Sequence, residues 1–270
     1  MNNDENKLSI PILSEQVARG ILPEFLLWIG CAGSYDERYK KVIQAFIHIL
    51  NRAGVDYAVL GQEESCTGDP ARRAGNEFLF QMQALSNIRL LNDYKVKKIL
   101  TSCPHCYNIF KNEYPALGGH YEVIHHSGFI EKLLDDRVLE SRENFHFRDK
   151  KITYHDSCYL GRSNNIYESP RNALKKLQVE IVEMSRNRAE GLCCGAGGAQ
   201  LFKDAEKGDK EINVERTEEA LKTNADIIAT ACPFCMTMMS DGVKYLQKED
   251  IIQVFDVVEL VEKGFRKKQD

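Results

Sequence analysis

Ala225-Asp226-Ile227-Ile228-Ala229-Thr230-Ala231-Cys232-Pro233-Phe234-Cys235 is an apolar run that ends in a Cys-Pro-x-Cys. A near copy, Lys97-Lys98-Ile99-Leu100-Thr101-Ser102-Cys103-Pro104-His105-Cys106, lies 129 residues earlier. Apolar runs of this length, bounded by proline and polar residues, read as buried strands. Proline suits the first turn of a helix, where its missing N–H costs nothing. Each copy therefore predicts a strand, a cysteine at its C-terminal end, and a second cysteine in the first turn of the helix that follows.

The remaining cysteines obey the same doubling. The chain has 270 residues and nine cysteines, at positions 31, 66, 103, 106, 158, 193, 194, 232 and 235. Aligning Cys31 with Cys158 brings Cys66 near Cys194, with offsets of 127, 128, 129 and 129 through the Cys-Pro-x-Cys pairs. On this alignment Ser65 stands where the second copy has Cys193. The apolar run Phe25 to Gly30 precedes Cys31, and Lys151 to Asp156 precedes Cys158. Residues 56–60 and 179–182 read as the second strand of each copy, and residues 121–124 and 251–254 as the last. Helix-patterned stretches lie at residues 38–53, 76–93, 170–177 and 211–223, and shorter ones at 128–134 and 257–263. Alternating strand and helix implies parallel βαβ units. The expected fold is α/β, with two pseudo-symmetric Rossmann-like lobes, mainly parallel sheets and one cysteine site per lobe. The expected divisions are an N-terminal arm (1–24), a first lobe (25–134), a charged linker (135–150) and a second lobe (151–270).

Composition narrows the function. Apolar residues make up 43% and charged residues 28%, as in ordinary globular chains. The net charge of −4, with no basic stripe, argues against nucleic acid as a partner. Apolar runs such as Phe25 to Ile29 are too short to cross a bilayer, so no direct membrane insertion is expected. The polar start Met1-Asn2-Asn3-Asp4-Glu5-Asn6 lacks a signal-peptide core. The expected location is the cytoplasm, with any membrane association made through a partner. An odd number of cysteines without an export signal speaks for metals or redox chemistry rather than a disulfide framework.

In an open parallel sheet, loops at the C-terminal strand ends converge on one crevice. Cys31, Cys103, Cys158 and Cys232 sit at such ends. In Gly191-Leu192-Cys193-Cys194-Gly195-Ala196-Gly197-Gly198, adjacent thiols cannot bridge each other without severe strain, so both look outward for partners. The glycines let the backbone approach a bulky anionic group and turn N–H groups toward it. Soft thiolates select zinc or iron–sulfur clusters. Zinc takes four ligands, and the second lobe offers five: Cys158, Cys193, Cys194, Cys232 and Cys235. Cys31, Cys66, Cys103 and Cys106 in the first lobe suit either zinc or a cubane cluster. Gly195, Gly197 and Gly198 are expected to offer N–H groups to sulfur. His105, His125, His126 and His155 are candidates to flank the sites, and Arg72, Arg73 and Arg162 to offset their charge.

The pattern resembles the cysteine-rich CCG-domain iron–sulfur oxidoreductases. These include heterodisulfide reductase B-type and D-type subunits and iron–sulfur subunits of glycerol-3-phosphate, glycolate and lactate oxidation systems. The resemblance rests on Cys31, Ser65-Cys66 and Cys103-Pro-His-Cys106, and on Cys158, Cys193-Cys194-Gly195 and Cys232-Pro-Phe-Cys235. It implies one site per lobe, facing each other across a pseudo-twofold axis. For the five-cysteine set it implies a non-cubane [4Fe-4S] cluster, with [4Fe-4S] or zinc in the first lobe. It also implies electron transfer with a flavoprotein or another iron–sulfur subunit, membrane-bound or not. Two other functions fit the residues: a thiol–disulfide reductase that uses the cluster as reactive centre, and a zinc-stabilised binding module.

Overall fold

The computed structural model of the chain describes residues 10–141, 147, 149–204 and 208–267. Residues 1–9 of the expected arm, and 142–146 and 148 of the expected linker, lie outside the described residues. The first half runs α1 (Leu13–Ala18), β1 (Phe25–Trp28), α2 (Gly30–Tyr35), α3 (Glu37–Ala53), β2 (Tyr57–Ala58), α4 (Asp69–Arg73), α5 (Glu77–Asp93), β3 (Lys98–Thr101), α6 (Pro104–Asn108), β4 (Glu122–His125) and α7 (His126–Asp135). After β5 (Leu139–Ser141), the second half runs β6 (Lys151–Tyr154), α8 (Glu168–Lys175), β7 (Glu180–Ile181), α9 (Ile212–Leu221), β8 (Ile227–Thr230), α10 (Pro233–Tyr245), β9 (Gln253–Asp256) and α11 (Val257–Gly264), and ends in β10 (Phe265–Lys267).

Each half forms a four-stranded parallel sheet, in the orders β2-β1-β3-β4 and β7-β6-β8-β9. The two sheets are the expected repeat made visible. Phe25–Trp28 and Ile227–Thr230 are buried along their whole length, as strands covered on both faces must be. α3 begins where Asp36 accepts the Tyr39 N–H at 2.7 Å, and α11 begins in a capping box of Asp256 and Glu259.

The halves meet helix on helix. α3, the first long helix of one half, packs on α11, the last of the other, and α7 packs on α8 in the same way. One hydrophobic core therefore runs through both halves, from Phe25, Phe46 and Ile130 to Leu174, Val258 and Leu260. Polar contacts fasten this seam. Arg38 makes two bonds of 2.8 Å to the Glu259 carboxylate, and His126 Nε2 bonds Asp256 Oδ1 at 2.8 Å with both side chains fully buried. β5, within the span expected as a linker, pairs antiparallel with β10 and so ties the end of the second half back toward the first. This packing turns the C-terminal ends of β1 and β3 toward those of β6 and β8, where the cysteines lie.

Candidate metal centres

In the first lobe, Cys31 lies in the first turn of α2 after β1. Cys103 is the N-cap of α6, and Cys106 lies in its first turn. Cys66 comes from the loop before α4. One pocket is lined by all four sulfur-bearing residues. The turn that delivers Cys31 is held by Glu64, whose carboxylate accepts the N–H groups of Ile29 (3.0 Å) and Gly30 (2.5 Å). Burial pushes the Glu64 carboxyl up to about 7, against those two bonds. The neighbouring Cys31 thiol draws Cys66 down to about 7, while Cys66 and burial push Cys31 up.

In the second lobe, Cys158 follows β6, Cys232 is the N-cap of α10, and Cys235 lies in its first turn. The 193–194 pair arrives on the glycine loop. Cys193, Cys194, Cys232 and Cys235 pack in one cluster, the ligand atoms of Cys194, Cys235 and His155 lie within 4.8 Å of one another, and Cys158 and Cys193 act on each other's charge. Bonds from Cys158 and Cys194 pull Cys193 well below the usual thiol range, while bonding to Cys193 and burial push Cys158 up. Thiols this close cannot all ionise in a dry site unless a cation joins them. The donor set therefore fits a metal-containing centre in both lobes.

The two sites correspond more closely than the sequence alignment expected, and with a different register. Gly68 (φ +91°) and Gly195 (φ +95°) both adopt the left-handed turn, and each donates its N–H at 3.4 Å to the sulfur two residues before it, Cys66 or Cys193. Cys66 therefore matches Cys193, at the same offset of 127 that relates Cys31 to Cys158. The residue in the place of Cys194 is Thr67, whose hydroxyl faces Cys106 Sγ at 3.9 Å as Cys194 faces Cys235. Ser65, expected to match Cys193, turns away and donates to Asn87 Oδ1 at 2.7 Å. The glycine turn sets the register, and the one-residue slip of the sequence alignment is corrected by it.

The histidines divide. His105 stands between the lobes: Nδ1 bonds Asp69 Oδ2 at 2.8 Å, and the ring stacks on Tyr159 at 4.2 Å and meets Phe234 edge-on at 4.7 Å. Its other nitrogen reaches the Cys232 sulfur of the opposite lobe. Burial opposes its charge, but Asp69 and Cys232 hold it well above the ordinary imidazole value. His155 offers a nitrogen within 4.8 Å of the Cys194 and Cys235 sulfurs. His126 serves the lobe interface through Asp256, and His125 lies beside it, 3.2 Å from the His126 ring nitrogen. The arginines are engaged elsewhere. Arg72 bonds Glu113, Arg73 bonds Asp69 and Glu113, and Arg162 donates to the Gly191 carbonyl at 2.8 Å.

The profile described as CCG, cysteine-rich domain, matches residues 25–111 and again 152–240, the two halves that carry these sites. The chain belongs to the CCG cysteine-rich domain family. Within it, this CCG protein is 46% identical over 253 residues to a probable iron–sulfur-binding oxidoreductase, FadF, of Bacillus subtilis, covering 93% of this chain and 35% of that protein. It is 45% identical to an EtfAB:quinone oxidoreductase of Syntrophomonas wolfei, over 89% of this chain and 34% of the relative. It is 32% identical to the D-type polypeptide of a dihydromethanophenazine:CoB–CoM heterodisulfide reductase of Methanosarcina barkeri, over 88% of this chain and 58% of that one. The chain thus spans about a third of the length of the first two relatives. No described helix is long and apolar enough to cross a membrane.

Thr67 escaped the sequence reading because a threonine carries no metal-ligand signal. Holding the Cys31–Cys158 offset of 127 constant through Gly68 and Gly195 was the cue that could have found it.

Proposed function

We propose that this CCG chain is an iron–sulfur redox subunit that passes electrons through two centres. Cys158, Cys193, Cys194, Cys232 and Cys235 hold a non-cubane [4Fe-4S] cluster, and Cys31, Cys66, Cys103 and Cys106 hold a cubane [4Fe-4S] cluster or zinc. The observation that carries this reading is the convergence, in each lobe, of cysteines from separate segments: Cys31, Cys66, Cys103 and Cys106 line one pocket, and Cys193, Cys194, Cys232 and Cys235 pack in one cluster. When bound, such clusters accept and release single electrons. The chain's own residues position and shelter them. The N-termini of α6 and α10 direct positive dipole potential at Cys103 and Cys232. Gly68 and Gly195 supply N–H groups to sulfur. Tyr159, His105 and Phe234 stack between the lobes and keep water from the space between the sites.

The natural partners on this reading are a flavoprotein, as the EtfAB:quinone oxidoreductase name suggests for that relative, or a second iron–sulfur subunit, and any membrane association runs through such a partner. A thiol–disulfide reductase is the second reading, supported by the heterodisulfide reductase relative. The exchange of Thr67 for a thiol makes the sites unlike, which favours relay over paired attack by two equal centres. Anaerobic purification followed by iron, sulfide and zinc analysis tests the proposal. Iron with sulfide is expected, and Cys194→Ala is expected to lose the second centre's iron. Zinc without sulfide would refute the redox reading and leave a zinc-stabilised binding module.

A further inference from the structure

Trp28 ends β1, and His155 follows the last residue of β6, at the same offset of 127 that relates Cys31 to Cys158. The sheets bear out the match. Trp28 pairs with Thr101, two residues before Cys103, while Tyr154 pairs with Ala229, which sets His155 beside Thr230, two residues before Cys232. Both side chains are fully buried. Trp28 Nε1 and His155 Nε2 each have no hydrogen-bond partner among the described residues. Buried N–H donors are nearly always satisfied, so two orphans at equivalent positions point to something that both sites receive.

Both side chains border the thiol sites. Trp28 lines the first-lobe pocket, and its Cδ1, the atom next to Nε1, lies 4.0 Å from where a Cβ on Gly30 would stand, a point 3.6 Å from Cys106 Sγ. A ring nitrogen of His155 lies within 4.8 Å of the sulfurs of Cys194 and Cys235, and with Nδ1 taken by Arg216 the nitrogen left free is Nε2. An indole nitrogen can only donate. Arg216 Nε–H donates to His155 Nδ1 at 3.1 Å, and arginine has no acceptor. The imidazole must therefore carry its proton on Nε2, so it offers an N–H to the site rather than a lone pair for ligation.

We infer that Trp28 Nε1–H and His155 Nε2–H donate to sulfur of the centre bound in their own lobe and poise the two centres separately. This rests on the iron–sulfur reading above. A donor to sulfur stabilises the more negative, reduced state, so each raises the potential of its centre. His155 is the stronger donor because the buried Arg216 guanidinium sits on its other nitrogen. These are positioning residues: they make no bond to iron.

The test is an anaerobic redox titration of the loaded protein followed by electron paramagnetic resonance, with iron and sulfide measured in every sample. His155→Leu should cut the reduced-to-oxidised ratio of the second centre at least tenfold at fixed potential, about 59 mV for a one-electron couple. The first centre should not move. His155→Gln, whose carbonyl can accept from Arg216 while its amide donates to the site, should recover most of the loss. Trp28→Phe should shift the first centre alone. A wild-type measurement independent of folding is the hyperfine coupling of an exchangeable proton in deuterated solvent, expected at the second centre. Loaded variants with unmoved midpoints, midpoints that move together, no rescue by glutamine, or no exchangeable coupling would overturn the inference while leaving the iron–sulfur reading intact. Wild-type protein without iron and sulfide would overturn both, and zinc in the first site would overturn the Trp28 half.

Discussion

Arg171→Met should destabilise the protein through a single stranded charge. Arg171 lies in α8 with no exposed surface, yet it makes five hydrogen bonds. Nη1 and Nη2 grip Asp156 at 2.7 and 2.8 Å, Nε and Nη2 grip Glu183 at 2.6 and 2.8 Å, and Nη1 reaches the Tyr167 carbonyl at 2.8 Å. Methionine fills much of the volume but leaves Asp156, itself buried, with the Arg188 N–H at 2.7 Å as its one remaining partner among the described residues. The Glu183 side chain is 29% exposed and can turn to solvent or to Arg188, 3.5 Å away, so most of the loss falls on Asp156. Breaking a buried pair by removing one partner costs about 3–5 kcal/mol. For a chain of this size each kcal/mol moves Tm by roughly 2–4 °C, so a fall of about 10 °C is expected. The assay is thermal unfolding of the metal-free, reduced protein by circular dichroism, because a bound cluster would break two-state behaviour. Adding Asp156→Asn to Arg171→Met removes the orphaned charge and should recover part of the loss. A single-variant cost under about 1 kcal/mol, or a double variant no more stable than Arg171→Met, would refute this account.

Thr67→Cys should bring a fifth thiol to the first site and change the spectrum of the loaded centre. Ser65→Cys should not, because position 65 faces Asn87; equal effects from both would sink the corrected register. Glu219 is held low, at about 2, because bonds from the Arg186 N–H, the Ser185 hydroxyl and Arg216 outweigh its burial. Its stabilising share is fully present above about pH 4.5 and is lost as pH falls toward 2. Urea midpoints of wild type and Glu219→Gln should therefore converge with acid, and a gap that stays constant from pH 6 to about pH 3 would contradict the assignment. A Cβ on Gly242 would stand 2.2 Å from Thr217 Oγ1 and 2.9 Å from the Asn213 carbonyl. Gly242→Ala should thus force α9 and α10 apart at about 1–3 kcal/mol, read as a lowered melting temperature; an unchanged melting temperature would contradict that contact.

Strands and long helices could be read in advance because their signals are local. Ile99-Leu100 and Ile227-Ile228 are apolar on both faces, and the 3.6-residue stripe of α3 needs no knowledge of what covers it. The cysteines could be placed at strand ends for the same reason. The site's finer partners were less visible. Trp28 reads as one more apolar strand residue, and only its buried indole N–H, left without a mate among the described residues, sets it apart. His155 was visible as a histidine near a cysteine, but its protonated nitrogen depends on Arg216, which lies 61 residues away.

The doubled α/β plan, the parallel sheets and the grouping of nine cysteines into two sets were all determined by the amino-acid sequence alone, since each depends on periodicity or spacing along the chain. Tertiary structure decided that Cys66 answers Cys193, that Thr67 stands where the second lobe has a thiol, and that His105 reaches across to Cys232. Those outcomes depend on a left-handed glycine turn and on the packing of α3 and α7 against α11 and α8 of the other half, and contacts between distant residues are set by packing rather than by local pattern.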